Sequence, residues 1–217
     1  MRPASGVSPD NRWERRCHRQ GLQPVAGVDE AGRGSLAGPV VAAAVVLAPR
    51  MRLPGLADSK LLPPGRREEL YALILKRAED VTWGWAGPRE IDRINILQAS
   101  FLAMRRALGR MRRPPCVVLV DGPHGIPEIE CEQRPLVDGD ARCRSIAAAG
   151  IVAKVIRDRL MERCHRIYPH FDFHHNRGYG TPEHLAALAR HGACPLHRRS
   201  YAPVAMLRQT DFLAQSW

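Results

Sequence analysis

The chain has 217 residues, 45% of them apolar, which is enough for one domain with a sizeable core. Its formal net charge is +11 at pH 7, a balance that suits a polyanionic partner, most commonly nucleic acid. No apolar run approaches a membrane span, residues 1–21 lack the apolar stretch of a secretory signal, and the six cysteines form no C-x-x-C pair. A disulfide scaffold is therefore not expected, and reduced thiols in a cytoplasmic protein are.

Residues 1–21 read as a basic, disordered tail. Val25 to Asp29 is a short apolar strand that runs into Gly32-Arg33-Gly34-Ser35-Leu36-Ala37-Gly38. Pro39 and the β-branched run Val40 to Leu47 follow, so the glycines join two strands and do not open a dinucleotide-binding helix. Asp58-Ser59-Lys60 lies in a loop, and a helix is predicted over Gly65 to Ala78 behind Pro63-Pro64. Val81 to Ala86 alternates as a third strand. Ile91 to Arg110 is one helix or a pair, striped by Ile94, Leu97, Phe101, Met104 and Leu108. Cys116 to Val120 suits a strand buried on both faces, and a short strand is expected within Glu128 to Val137. A long helix runs from Ala147 to Arg166. A final one is capped by Thr181, begins at Pro182 and stops at Gly192. His165, His170, His174, His175, His184, His191 and His197 read as scattered surface and loop residues, without zinc-site spacing. Strands alternating with helices predict an α/β layer fold with helices on both faces of a sheet.

Asp29 and Glu30 end the first strand, Asp121 ends the strand at Val120, and Asp138 and Asp140 flank Gly139 before the long helix. Ligands in open α/β sheets bind at such strand ends. Carboxylates converging there make a hard oxygen site for Mg²⁺ or Mn²⁺, and beside so much positive charge they point to phosphoryl transfer on nucleic acid. Two ions about 3.5–4 Å apart can clamp the attacking and leaving oxygens of a phosphodiester.

Val28-Asp29-Glu30-Ala31-Gly32-Arg33-Gly34, with Leu36-Ala37-Gly38-Pro39-Val40-Val41 after it, resembles the signature of the ribonuclease HII family. Asp58-Ser59-Lys60, Ile94-Asn95-Ile96-Leu97, Val120-Asp121-Gly122, Ala153-Lys154-Val155 with Arg157-Asp158-Arg159, Gly178-Tyr179 with Thr181, and His197-Arg198-Arg199-Ser200-Tyr201 with Pro203 continue the resemblance in order. It implies an RNase H-like fold, with a central mixed sheet, helices on both faces and a helical C-terminal extension. The catalytic domain would span residues 22–205, with a tail over 206–217. It implies an endonuclease that hydrolyses the RNA strand of RNA–DNA hybrids and incises 5′ to single ribonucleotides in duplex DNA. The route would use two divalent ions, Mn²⁺ or Mg²⁺, and leave 5′-phosphate and 3′-hydroxyl ends.

By the same resemblance Asp29, Glu30, Asp121 and Asp140 are the metal-holding catalytic acids, Asp140 rather than Asp138 because register follows the glycine. Gly32, Arg33 and Gly34 would read the 2′-hydroxyl. Tyr179 would pack on the following sugar, and Lys60 and Lys154 would contact phosphate. Asp158 is expected to form a local ion pair. A monomer is expected, and a sliding clamp is left open as a partner. The sequence departs from the family pattern at Ala147-Ala148-Ala149-Gly150, where two hydroxyls are lost, and at Asn176 and Gly180. A non-catalytic binder on the same scaffold is the alternative, disfavoured by the intact acids. Ribonuclease HIII is a further one, disfavoured by the short segment before the first strand.

Overall fold

The structure, a computed structural model, describes residues 8–49 and 51–207. The tail expected over 206–217 lies outside the described residues from 208 onward. Five strands, β1 (Val25–Ala31), β2 (Val40–Val46), β3 (Asp80–Ala86), β4 (Val117–Asp121) and β5 (Glu132–Leu136), form one mixed sheet in the order β3-β2-β1-β4-β5. β1 pairs antiparallel with β2, as does β2 with β3, while β1–β4 and β4–β5 are parallel. The α/β fold read from the alternation of elements is thus the observed one.

The period of two in β2 separates two cores. Val40, Ala42, Ala44 and Val46 face helix α3 (Pro88–Leu108) with Ala26, Val28, Val118 and Val120. Val41, Ala43 and Val45 face α2 (Pro64–Arg77) and α5 (Arg144–Ile167). Both faces are covered, which is why β2 and β4 read as unbroken apolar runs. A third cluster gathers Leu36, Met161, Phe171, Phe173, Leu188 and Val204 beneath the C-terminal region.

Local chemistry sets the element ends. Within α3, Asn95 has φ 63° and leaves the helix. Its side-chain oxygen accepts the N–H groups of Leu97 and Gln98 at 3.0 and 3.1 Å, so it caps a second helical segment. The predicted single helix or pair is therefore a pair in series. Three shorter helices, α4 (Gly139–Arg142), α6 (Phe173–Asn176) and α7 (Pro182–His191), lie in the C-terminal half. Thr181 accepts the N–H of His184 at the start of α7, as expected.

The reading of residues 1–21 as a disordered tail is corrected over residues 8–21, while residues 1–7 lie outside the described residues. Residues 12–19 form helix α1 (Arg12–Arg19), with Cys17 and Glu14 buried. Asp10 bridges Cys143 in parallel pairing, and the Glu14 carboxylate accepts the N–H of Ser145 at 2.8 Å. An anionic side chain from α1 thereby caps the positive N-terminus of α5. Arginine-rich composition hid this, because the ordering groups are one acid and one thiol whose partners lie far along the chain. Glu14→Ala should lower stability by about 1–2 kcal/mol, the usual loss for a helix cap, measured by urea unfolding.

Candidate functional site

Because β1 and β4 are parallel and Val28 pairs with Val120, the next residues, Asp29 near the end of β1 and Asp121 at the end of β4, lie at the same sheet edge. Gly27 and Asp29 share the face toward α5, since side chains alternate along a strand. β5 runs parallel to β4, with Leu136 beside Asp121. The chain then turns through Asp138, at φ 54°, into α4. One Asp121 oxygen accepts the N–H of Gly139 at 2.8 Å and of Asp140 at 3.4 Å. This draws Asp140 to the edge, while Asp138 stays exposed.

Four acids therefore meet from three segments. Burial, then Glu30, Asp121 and Asp140 in turn, push the Asp29 carboxyl well above its ordinary range. Burial also raises Glu30, against the pull of Arg33, and raises Asp121 and Asp140. Each acid is engaged separately. Asp29 accepts the N–H of Glu30 at 2.6 Å, Glu30 pairs with Arg33 at 3.2 Å, and Asp140 lies 3.5 Å from the Lys60 ammonium. Among the described residues no three His, Cys, Asp or Glu side chains converge closely enough to form an ion-holding set, so the four acids are neighbours at one edge rather than a closed site. Asp29 is 6% exposed and has no ion-pair partner among the described residues. A buried carboxylate without a cation, beside three further acids, is a donor set that a hard divalent ion fits.

The departure at Gly150 gains a physical reason. A Cβ at that position would press on the Asp29 carboxylate, so glycine lets α5 pass against the acid. Asn176 is also well used: it donates to Phe171 O at 2.6 Å and accepts the Gly178 N–H at 2.7 Å. At Gly180 a side chain would crowd Leu36.

The remaining predicted site residues are placed as follows. Gly32 has φ +96° and leads into a loop where Gly34 faces open space. Arg33 is half exposed beside Glu30. Tyr179 is 39% exposed, with the Arg157 guanidinium 5.5 Å from its ring centre. Lys60 stands at the acid cluster, its ammonium raised because Asp58, Asp140, Asp29 and Asp121 together outweigh burial. Lys154 is not brought to the acids. It pairs with Asp158 at 2.5 Å, and Asp158 also meets Arg67 at 3.3 Å.

Two groups escaped the sequence reading. Arg157 and Arg198 are fully buried beneath the Gly32–Pro39 loop. His184 and His197, read as surface residues, are buried too, with Nε2 atoms 3.1 Å apart. His197 Nδ1 accepts the Cys194 N–H, so its Nε2 carries the proton and donates to His184 Nε2. His184 Nδ1 then donates to Tyr179 O at 2.8 Å. This relay ties the C-terminal segment to the Tyr179 turn. Burial, then His184, pushes His197 down to about 4, and burial lowers His184. Both rings are neutral in the fold. Their contribution is complete above the unfolded value of 6.5 and is lost as pH falls toward 4. Thermal unfolding should show the wild type losing stability across that window relative to His197→Gln, which has no imidazole to charge.

The sequence profile of the family described as Ribonuclease HII matches residues 26–204. Ribonuclease HII of Syntrophobacter fumaroxidans is 51% identical over 204 residues, covering 94% of this chain and 87% of that protein. The ribonuclease H2 structure from Pyrococcus horikoshii OT3 aligns with a TM-score of 0.72 and 29% identity, covering 86% of this chain and 97% of that one. The RNase HII in the PCNA:RNase HII complex from Archaeoglobus fulgidus aligns at 0.68 and 30% identity, with the same coverage.

Proposed function

This chain belongs to the ribonuclease HII family and is a nuclease of the ribonuclease H type, and from that premise we propose that it hydrolyses the RNA strand of RNA–DNA hybrids and incises 5′ to single ribonucleotides in duplex DNA, leaving 5′-phosphate and 3′-hydroxyl ends. The observation that carries the reading is the gathering of Asp29, Glu30, Asp121 and Asp140 at one sheet edge, where burial, with repulsion from neighbouring acids, raises every one of the four carboxyls. These four would hold two divalent ions, Mg²⁺ or Mn²⁺, which when bound supply Lewis acidity and an activated water.

The chain's own residues do the positioning. Gly32, Arg33 and Gly34 present backbone to the ribonucleotide, and Tyr179 presents an exposed ring face beside them. Lys60 and Arg33, already paired with Asp140 and Glu30, bring positive charge to the edge of the acid cluster, where the scissile phosphate would sit. Arg66, Arg159 and the other surface arginines add a salt-sensitive attraction to the duplex. Lys154 supports this surface from within its ion-pair network with Asp158 and Arg67. The free thiols fit a reducing cytoplasm, and no helix among the described residues is long and apolar enough to cross a membrane. The archaeal relative in the PCNA complex supports a sliding clamp as a partner class here.

The test is a duplex carrying one ribonucleotide, incubated with the protein and Mn²⁺ or Mg²⁺. Incision on the 5′ side of the ribonucleotide is expected, with no cut in the all-DNA duplex. Binding without incision under either ion would favour the non-catalytic alternative.

A further inference from the structure

Arg198 is fully buried, yet no carboxylate lies within ion-pair distance of it among the described residues. Four of its five N–H donors go to three carbonyls and one phenol instead. Nη2 donates to Gly32 O at 2.7 Å, Nη1 to Arg33 O at 2.7 Å and to Tyr201 Oη at 3.0 Å, and Nε to Gly38 O at 3.0 Å. Tyr201 Oη itself donates to Arg33 O at 2.6 Å. Arg157 repeats the pattern next door, donating to Pro39 O at 3.0 Å, Ala37 O at 3.3 Å and Arg177 O at 2.9 Å. A buried guanidinium without a counter-ion is costly, and two neighbouring ones repel, so stability alone is a poor reason for this arrangement.

The peptide geometry suggests another. In a trans peptide the C=O and the following N–H point in opposite directions. With the carbonyls of Gly32 and Arg33 turned inward to Arg198, the N–H groups of Arg33 and Gly34 must turn away from it. Neither N–H has an acceptor among the described residues. Gly34 faces open space, and the buried hydroxyl of Ser35 next to it is also unpartnered. A short run of free backbone donors over a buried cation is suited to an oxygen-rich ligand.

We infer that Arg198, supported by Arg157 and Tyr201, is a positioning residue that turns the Gly32–Gly34 peptides so that their N–H groups face the ribonucleotide and set the preference for it over a deoxynucleotide. This rests on the reading that the Gly32-Arg33-Gly34 loop meets the ribonucleotide. Arg198 touches no substrate atom, and it acts through the loop backbone.

The experiment measures binding of the full chain, with Ca²⁺ in place of Mg²⁺, to a duplex carrying one ribonucleotide and to the same duplex made wholly of DNA. A wild type with no preference between them would sink the functional reading itself, independently of Arg198. Given a wild-type preference, Arg198→Lys keeps the charge but cannot hold both carbonyls. It should cut the preference about tenfold or more while all-DNA affinity stays within about twofold. Tyr201→Phe removes only the hydroxyl on Arg33 O and should cut the preference about threefold. Equal losses on both duplexes, or an unchanged preference in folded Arg198→Lys, would reduce Arg198 to a structural pin. If Arg198→Lys does not fold, Tyr201→Phe decides, and an unchanged preference there overturns the inference.

Discussion

Asp29→Asn is expected to lower incision by about 10³-fold or more while making the metal-free protein more stable. Both effects come from one cause. Asp29 is buried without a cation and faces Glu30, Asp121 and Asp140, so its charge is unfavourable in the fold until an ion arrives. Its folded pKa lies above the unfolded value of 3.8, so the native state binds the extra proton. Stability from this group is present below 3.8 and is lost as pH rises through the folded value. At neutral pH, above the unfolded value, the wild type carries a penalty for burying this group. Asparagine keeps the shape and can still accept the Glu30 N–H, but it has no charge to bury. The variant should gain on the order of 1–3 kcal/mol at pH 7, and the gain should vanish in strong acid. Added Mn²⁺ should raise the melting temperature of the wild type more than that of the variant, since only the wild type has the full ion site. Differential scanning calorimetry with and without Mn²⁺ reads all three outcomes. A variant that is no more stable at neutral pH would show that Asp29 is not under repulsion.

The second large effect lies at the junction of sheet and helix. Gly27 in β1 has no room for a side chain, because a Cβ there would come well under 3.0 Å from the backbone of Ser145 and Ile146 in α5. Backbone cannot swing aside as a side-chain tip can. Gly27→Ala must therefore lift the N-terminal half of α5 off β1. Overpacking of this kind costs about 1–3 kcal/mol, and a backbone clash belongs at or above the upper end. Against a typical total of about 5–15 kcal/mol, that endangers the fold. The same lift would carry Gly150 away from Asp29, so activity should fall in whatever fraction stays folded. Gly84 makes the matching contact on the other face, where a Cβ would sit 2.5 Å from Ala103 O in α3. Gly34→Ala is the control: nothing lies near its Cβ, and stability should be nearly unchanged by urea unfolding.

Much of this architecture was visible in the sequence because burial leaves a pattern. β2 and β4 were legible as apolar runs, and α7 through its Thr181-Pro182 start and Gly192 stop. β1 runs past the acids to Ala31, further than its apolar residues suggest, because β2 continues to pair with it at Glu30↔Ala42 and Ala31↔Val41. Helix α1 was missed because Glu14 and Cys17 find their partners more than a hundred residues away. The acids were nominated by their strand-end positions and by family resemblance, and parallel pairing of β1, β4 and β5 is the physical reason they can meet. Arg157 and Arg198 could not be singled out by composition. An arginine that organises a loop from beneath looks, as a letter, like one that greets solvent. Lys154, a motif lysine expected at phosphate, is paired with Asp158 in the fold, a partner four residues along the same helix.

The central claim is that Asp29, Glu30, Asp121 and Asp140 act together as one divalent-ion site, and Mn²⁺ titration followed by calorimetry tests it without relying on turnover. The wild type should bind Mn²⁺, and Asp29→Asn and Asp121→Asn, each still folded, should weaken that binding about tenfold or more. Unchanged Mn²⁺ affinity in both folded variants would contradict the account.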